Sequence, residues 1–265
     1  MKLTEKNYHS QKANNEYMSV STYKSFLPWF GGCESKAKAI LEGEWVQEKD
    51  CFLLGNYIHA WNENRLQEFK ENTPELFKKN GELYAKYSIG NDMIETLEND
   101  KFVQKVRAGG KEKIINAKLF DIPWKAKIDI LNHDMKTFTD LKTTRSLNRK
   151  YYNNYYGEYQ NFIEYYGYDY QMAVYAELLK RHLETDEYYM PHILAVTKEN
   201  PPDKAVIHFD REEFVKEKLE HISMHIERIK AVWKNEEKPT RCGNCDYCRS
   251  TKEIKKTIHW KEMTV

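Results

Sequence analysis

Between Lys113 and Lys142 the apolar residues stop recurring at helical spacing and begin to alternate, and this stretch constrains the fold more than any other. Ile114, Ile115, Leu119 and Ile122 predict one strand, Trp124 to Leu131 a second, and Met135 to Lys142 a third. Asn132-His133-Asp134 supplies the turn between the last two. The midpoint of positions 129 and 140 falls within that turn. A hairpin folded about Asp134–Met135 therefore sets Asp129 opposite Asp140, with Cβ atoms ~5 Å apart. On the third strand Asp140 and Lys142 share one face, and Leu141 points into the opposite layer.

Two carboxylates at that separation suit a hard divalent cation such as Mg²⁺. A cation held there activates water for phosphodiester hydrolysis, and a lysine beside it orients that water and offsets developing negative charge. The plainer alternative is a half-buried hairpin with solvated charges, which strand edges often carry.

The strands are embedded among helices. Glu34 to Leu41 predicts a helix stopped at Gly43; Phe52 to Lys70 predicts another, ended by Asn72-Thr73-Pro74. Asp92 to Val106 predicts a third, broken by Gly109-Gly110. After the three strands, Phe162 to Leu183 reads as a long helix interrupted at Gly167. Tyr188 to Thr197 and Ala205 to Phe209 read as strands around Pro201-Pro202. Glu212 to Trp233 reads as an amphipathic helix with Phe214, Leu219, Ile222, Ile226, Ile229 and Trp233 near one face. Residues 1–18 read as a loose polar leader. The order of elements is an α/β plan with a mixed sheet, and 265 residues suit one large domain.

A net charge of +1 excludes a uniformly basic binder, so any affinity for nucleic acid needs clustered cations. Lys125, Lys127, Lys136, Lys142, Arg145, Arg149 and Lys150 form such a cluster against Asp129, Asp134 and Asp140. Tyr151, Tyr152, Tyr155, Tyr156 and Tyr159 follow, either as a stacking surface or as a lid packed on the domain. A mean hydropathy of −0.84 and the lack of a long apolar run argue against a membrane partner. Residues 1–10 lack the apolar stretch of a signal peptide, and the expected location is cytoplasmic, in a bacterium or a phage-infected host.

Three of the five cysteines form Cys242-x-x-Cys245-x-x-Cys248, too few for a closed metal site. Cys33 is the best candidate for a fourth ligand. An iron–sulfur cluster, zinc and uncoordinated thiols all stay open at this point. Either centre would join segment 19–43 to segment 211–250 around a core of about 50–210. Cys51, in Cys51-Phe52-Leu53-Leu54, reads as a buried apolar thiol.

Asp129…Asp140-Leu141-Lys142 resembles the PD-(D/E)xK nuclease signature. Gly55-Asn56-Tyr57-Ile58-His59 resembles the Gly-x-x-x-His helix of the branch holding the RecB nuclease domain, RecE and lambda exonuclease. Gln171-Met172-Ala173-Val174-Tyr175 resembles that branch's Gln-x-x-x-Tyr helix. The three motifs stand in family order, closest to phage-type RecE-like exonucleases, with Asp in place of the commoner Glu at 140. The resemblance implies a restriction-endonuclease-like αβββαβ core. It implies Mg²⁺ (or Mn²⁺) ligands at Asp129, Asp140, the Leu141 carbonyl and His59, with Lys142 positioning water. It implies DNA contacts from Gln171 and Tyr175, and by extension from Thr143, Thr144, Arg145, Arg149 and Lys150. Taken singly, His59 reads as an ordinary core or surface histidine, and Gln171 and Tyr175 as helix packing.

Kinship further implies 5′→3′ digestion of double-stranded DNA from free ends, a single-strand annealing protein as partner, a homo-oligomer and a setting in phage recombination. The Ser19-Val20-Ser21-Thr22-Tyr23 opening before Cys33 resembles helicase-linked and CRISPR-adaptation nucleases that carry a [4Fe–4S] cluster. A metal-stapled DNA-binding module without catalysis is the alternative from another class.

Overall fold

A computed structural model describes residues 1–46 and 52–262; Cys51 lies outside the described residues. In chain order it holds α1 (Gln11–Glu16), α2 (Val20–Ser25), α3 (Glu34–Glu42), α4 (Leu53–Asn62), α5 (Leu66–Asn72), α6 (Ile89–Glu98) and α7 (Lys101–Arg107). Then come β1 (Gly110–Leu119), β2 (Ile122–Asn132), β3 (Thr137–Thr144), β4 (Tyr151–Asn153), β5 (Glu158–Gln160), α8 (Phe162–Tyr165) and α9 (Tyr168–His182). β6 (Met190–Thr197), β7 (Lys204–His208), α10 (Glu213–Trp233) and α11 (Asp246–Ser250) follow.

The central sheet has the order β1-β2-β3-β6-β7. Only β3 and β6 run parallel, and a parallel pair needs a long crossover, supplied here by α9. The sheet is mixed and flanked by helices, as the pattern of elements predicts. One core joins α9 and α10 to one face, through Ile193 and Ala195. The other joins α4 and α6 to the opposite face, through Leu141, Leu194 and Val196. Leu141 thus points away from Asp140 and Lys142, as strand alternation requires.

Several elements depart from the sequence expectations. The helix predicted over 52–70 is two, because Asn64 turns left-handed (φ 59°) between α4 and α5. The helix predicted over 92–106 is also two, because the Asp100 carboxylate caps α7, accepting from the Phe102 and Val103 amides. β1 ends earlier than predicted, at a two-residue turn where Phe120 and Asp121 both have positive φ.

The first eighteen residues are ordered structure and no loose leader. Ser10 caps α1, and Leu3, Tyr8, Ala13 and Met18 are buried. Met18 bridges Trp124 on β2, with Met18 N donating to Pro123 O and Lys125 N to Met18 O. This happens because β3 pairs with β2 only over Ile130–Asn132 and leaves the rest of that edge open. The N-terminal segment fills it.

Gly167 separates α8 from α9 at φ 61°. A Cβ there would stand 2.6 Å from the Phe30 ring and 2.8 Å from Lys24 Cδ, so both conformation and space require glycine. Gly43 ends α3 as predicted, at φ 78°. Along α10, Ile222, Ile226, Ile229 and Trp233 are buried, while Phe214 and Leu219 are half-buried.

Candidate active site

The β2–β3 ladder has the register the turn predicts: Asn132 faces Thr137, Leu131 faces Phe138 and Ile130 faces Thr139. The next pair in that register is Asp129 and Asp140, and there the strands part. Strand separation frees the Leu141 amide, and the Asp129 carboxylate takes it: Leu141 N donates to Asp129 Oδ2 at 2.7 Å. Both acids are buried. Lys142 Nζ lies 2.5 Å from Asp140 Oδ2, and Gln171 Nε2 on α9 donates to Asp140 Oδ1 at 2.7 Å. From the other layer, α4 brings His59 Nδ1 to 3.5 Å from Asp129 Oδ2. A Cβ at Gly55 would make only ordinary contact with Thr143, so α4 does not need glycine there to reach β3.

One acid escaped the sequence reading. The flanking pairs Lys111–Ile130 and Lys113–Ile128 set Glu112 opposite Asp129, yet Glu112 drops out of the ladder and adopts φ 51°. Ligand atoms of His59, Glu112 and Asp129 all lie within 4.8 Å of one another; Asp140 stands outside that trio. Lys127 pairs with Glu112. A cavity of about 470 Å³ opens beside the trio, lined also by Glu63, Arg65 and Lys127.

Burial, and next the charge of Asp140, push the Asp129 carboxyl well above the usual carboxylate range. Burial, and next the Lys142 charge, push the His59 imidazole down, leaving it neutral and able to act as a ligand near neutral pH. For Lys142 burial alone would lower the ammonium, but Asp140 outweighs it and holds the group up. The Tyr168 ring lies 4.7 Å from Lys142 Nζ, and Lys24 Nζ lies 5.4 Å from the same ring.

The remaining candidates divide. Tyr175 is half-buried against the α9 core, and burial pushes its phenol well up. Thr144 is buried and its hydroxyl reaches Ser146 O at 3.5 Å, whereas Thr143 is half-buried. Arg145, Arg149 and Lys150 are exposed. The rest of the basic run is paired within the chain, Lys125 in the interior and Lys136 at the surface. Lys125 is buried and donates to Asn14 Oδ1 and Tyr8 O, Lys127 pairs with Glu112 and Lys136 with Glu187.

The cysteines converge at the N-terminal end of α3. Cys33 precedes its first residue, and its Sγ lies 3.6 Å from Cys248 Sγ, which is 3.9 Å from Cys242 Sγ. All four sulfurs of Cys33, Cys242, Cys245 and Cys248 lie within 4.8 Å of one another. The Cys245 amide donates to Cys242 Sγ and the Cys248 amide to Cys245 Sγ. Burial alone would raise the Cys242 thiol, but the amides of Cys245 and Asn244 hold it at about 6.

Residues 19–251 match the family described as "PDDEXK-like domain of unknown function (DUF3799)". Among solved structures, a protein described as "Putative exonuclease" from Eubacterium rectale is 36% identical, over 98% of this chain and 97% of that one, with a TM-score of 0.90. A second, described as SSO0001, is 13% identical over 81% of this chain and 91% of that one; its TM-score of 0.32 is too low to bear on the fold. No curated protein matches. No helix among the described residues is long and apolar enough to cross a membrane.

Proposed function

Because the chain belongs to this family of PDDEXK-like domains, we propose that it is a divalent-metal-dependent deoxyribonuclease acting at Asp129, Asp140 and Lys142. The observation that carries this reading is the parting of β2 and β3, which leaves two buried carboxylates and one lysine side by side at the end of a ladder. A pure DNA binder gains nothing from acids placed to face phosphate.

The donor set fits a hard divalent cation: two carboxylates and a neutral imidazole within one small sphere. Asp129, Glu112 and His59 would hold Mg²⁺ or Mn²⁺, and the family resemblance adds Asp140 and the Leu141 carbonyl as further ligands. Such a cation would supply Lewis acidity and make a bound water more acidic than bulk water. Lys142, held charged, would orient the attacking water and offset negative charge on the phosphate. Gln171 keeps Asp140 turned toward Lys142. Arg145, Arg149 and Lys150 attract the DNA backbone.

The reading extends to an exonuclease acting on duplex ends. What supports that step is the 36% identity to the protein described as "Putative exonuclease", together with the RecE-like motif order. Linear duplex labelled at either 5′ or 3′ ends, compared with covalently closed circles in Mg²⁺, tests it. Release of one label as mononucleotides, with circles intact, is the expected result. Rapid cutting of circles contradicts it.

The cysteine cluster favours the helicase-linked type as a second reading of the pathway. Its four thiolates would hold iron–sulfur or zinc and tie α3 to α11. The centre is remote in sequence from Asp129 and Asp140, and its role is structural in either reading.

A further inference from the structure

From Leu141 to Gly157 the chain holds four cations, Lys142, Arg145, Arg149 and Lys150, and no acid, in a protein whose net charge is +1. Four tyrosines close the same stretch. The structure folds them into the β4–β5 hairpin, with Tyr152 paired across the strands with Tyr159. The hairpin is fixed from within. Buried Asn153 donates to Trp29 O and Gln160 Oε1, and its own Oδ1 accepts from the Tyr155 and Tyr156 amides. Yet the outer rings stay in solvent: Tyr152 is 49%, Tyr155 57%, Tyr156 46% and Tyr159 69% exposed. Tyr152 and Tyr159 lean on each other at 5.2 Å, Tyr155 and Tyr156 at 5.1 Å. A lid packed on the domain would bury these rings.

The aromatic surface is continuous with the site. Lys142 lies over Tyr168, Tyr168 contacts Tyr166 at 5.7 Å, and Tyr166 contacts Tyr151 at 5.4 Å, at the first position of the hairpin. Arg149 sits 5.3 Å from the Tyr151 ring. Among the described residues, Arg145, Arg149 and Lys150 form no ion pair with a carboxylate. The hairpin's one acid, Glu158, accepts from Gln160.

We propose that the β4–β5 hairpin is a stacking surface for single-stranded DNA leading to or from Lys142. Exposed rings beside unpaired cations match a polyanion with accessible base faces. A duplex hides those faces within its stack, so the occupant is the unpaired strand. The proposal rests on the nuclease reading, and its test is a binding measurement independent of cleavage.

Anisotropy of a fluorescent oligothymidylate of about 20 nucleotides in EDTA compares wild type, Tyr152→Ala/Tyr159→Ala and Tyr152→Phe/Tyr159→Phe. The alanine pair is expected to weaken binding about tenfold or more, the phenylalanine pair to bind within about twofold of wild type. Both rings are exposed and touch mainly each other, so a circular-dichroism melt should match wild type. Equal binding by the alanine pair overturns the proposal, as does equal loss by the phenylalanine pair or no oligonucleotide binding by wild type. Wild type that binds in this way but never cleaves DNA in Mg²⁺ leaves the surface standing and removes the nuclease reading.

Discussion

Asp129 faces two ways at once: one oxygen caps a backbone amide freed by strand separation, and the same carboxylate adjoins His59 and Glu112. That doubling makes Asp129 a poor place to test metal binding alone, since its loss also orphans the Leu141 amide. Glu112 is the better probe. Glu112→Gln keeps the size of the side chain and removes its charge, and is expected to raise the Mg²⁺ needed for half-maximal cleavage about tenfold or more; an unchanged metal titration contradicts its role. Asp129, Asp140 and Lys142 were legible because a readable turn fixes their register. Glu112 was not, because Phe120-Asp121 lacks the Asn-Gly chemistry that marks a tight hairpin, and without that turn nothing places position 112 opposite 129. Lys125 shows the converse error. It counts as a DNA-facing cation in sequence, and burial instead holds its ammonium at about 8. An unfolded lysine titrates near ~10.4, so between those values the unfolded chain binds more protons and stability rises with pH. Below about 8 the cost of the buried charge is fully present. The melting temperature of wild type relative to Lys125→Met should therefore climb across that window; a constant gap contradicts the burial argument.

At the scale of elements, breaks matter more than runs. The sequence showed where helical patterns lie but joined α4 to α5 and α6 to α7, because a left-handed asparagine and an Asp cap interrupt an apolar period without a glycine or proline to announce it. Gly167 did announce itself, and its reason is steric as well as conformational. Gly167→Ala must enter the left-handed region and push against Phe30 and Lys24, which should cost roughly 2–4 kcal/mol in urea unfolding. A loss under about 1 kcal/mol would mean that α8 and α9 can re-pack. The N-terminal segment hid for another reason. Its few apolar residues, Leu3, Tyr8, Ala13 and Met18, have neither helical nor strand spacing, and they are ordered by the free edge of β2 that β3 abandons.

At the scale of the molecule, residues 33–38 meet residues 228–248 across the chain. Glu34 binds Arg228 at 2.7 Å and accepts from the Thr240 amide, Lys38 donates to Trp233 O, and Cys33 joins the C-terminal cysteines. Three of those cysteines are evident from spacing alone; the fourth, 209 positions before Cys242, could be assigned only by resemblance, since no local pattern links such distant residues. If a metal closes the cluster, wild-type protein should carry stoichiometric iron or zinc, and Cys248→Ser should lose it and melt at a lower temperature. Equal metal content in the two proteins contradicts the staple. Catalysis at the parting of β2 and β3 makes cleavage depend on Lys142 and on a divalent cation. Digestion of linear duplex DNA in Mg²⁺ by wild type and by Lys142→Ala, with binding of the same DNA followed in EDTA, measures both. Cleavage is expected to fall about 10²–10³-fold in the variant while binding persists. Cleavage by Lys142→Ala at the wild-type rate, or by wild type in EDTA, would contradict it.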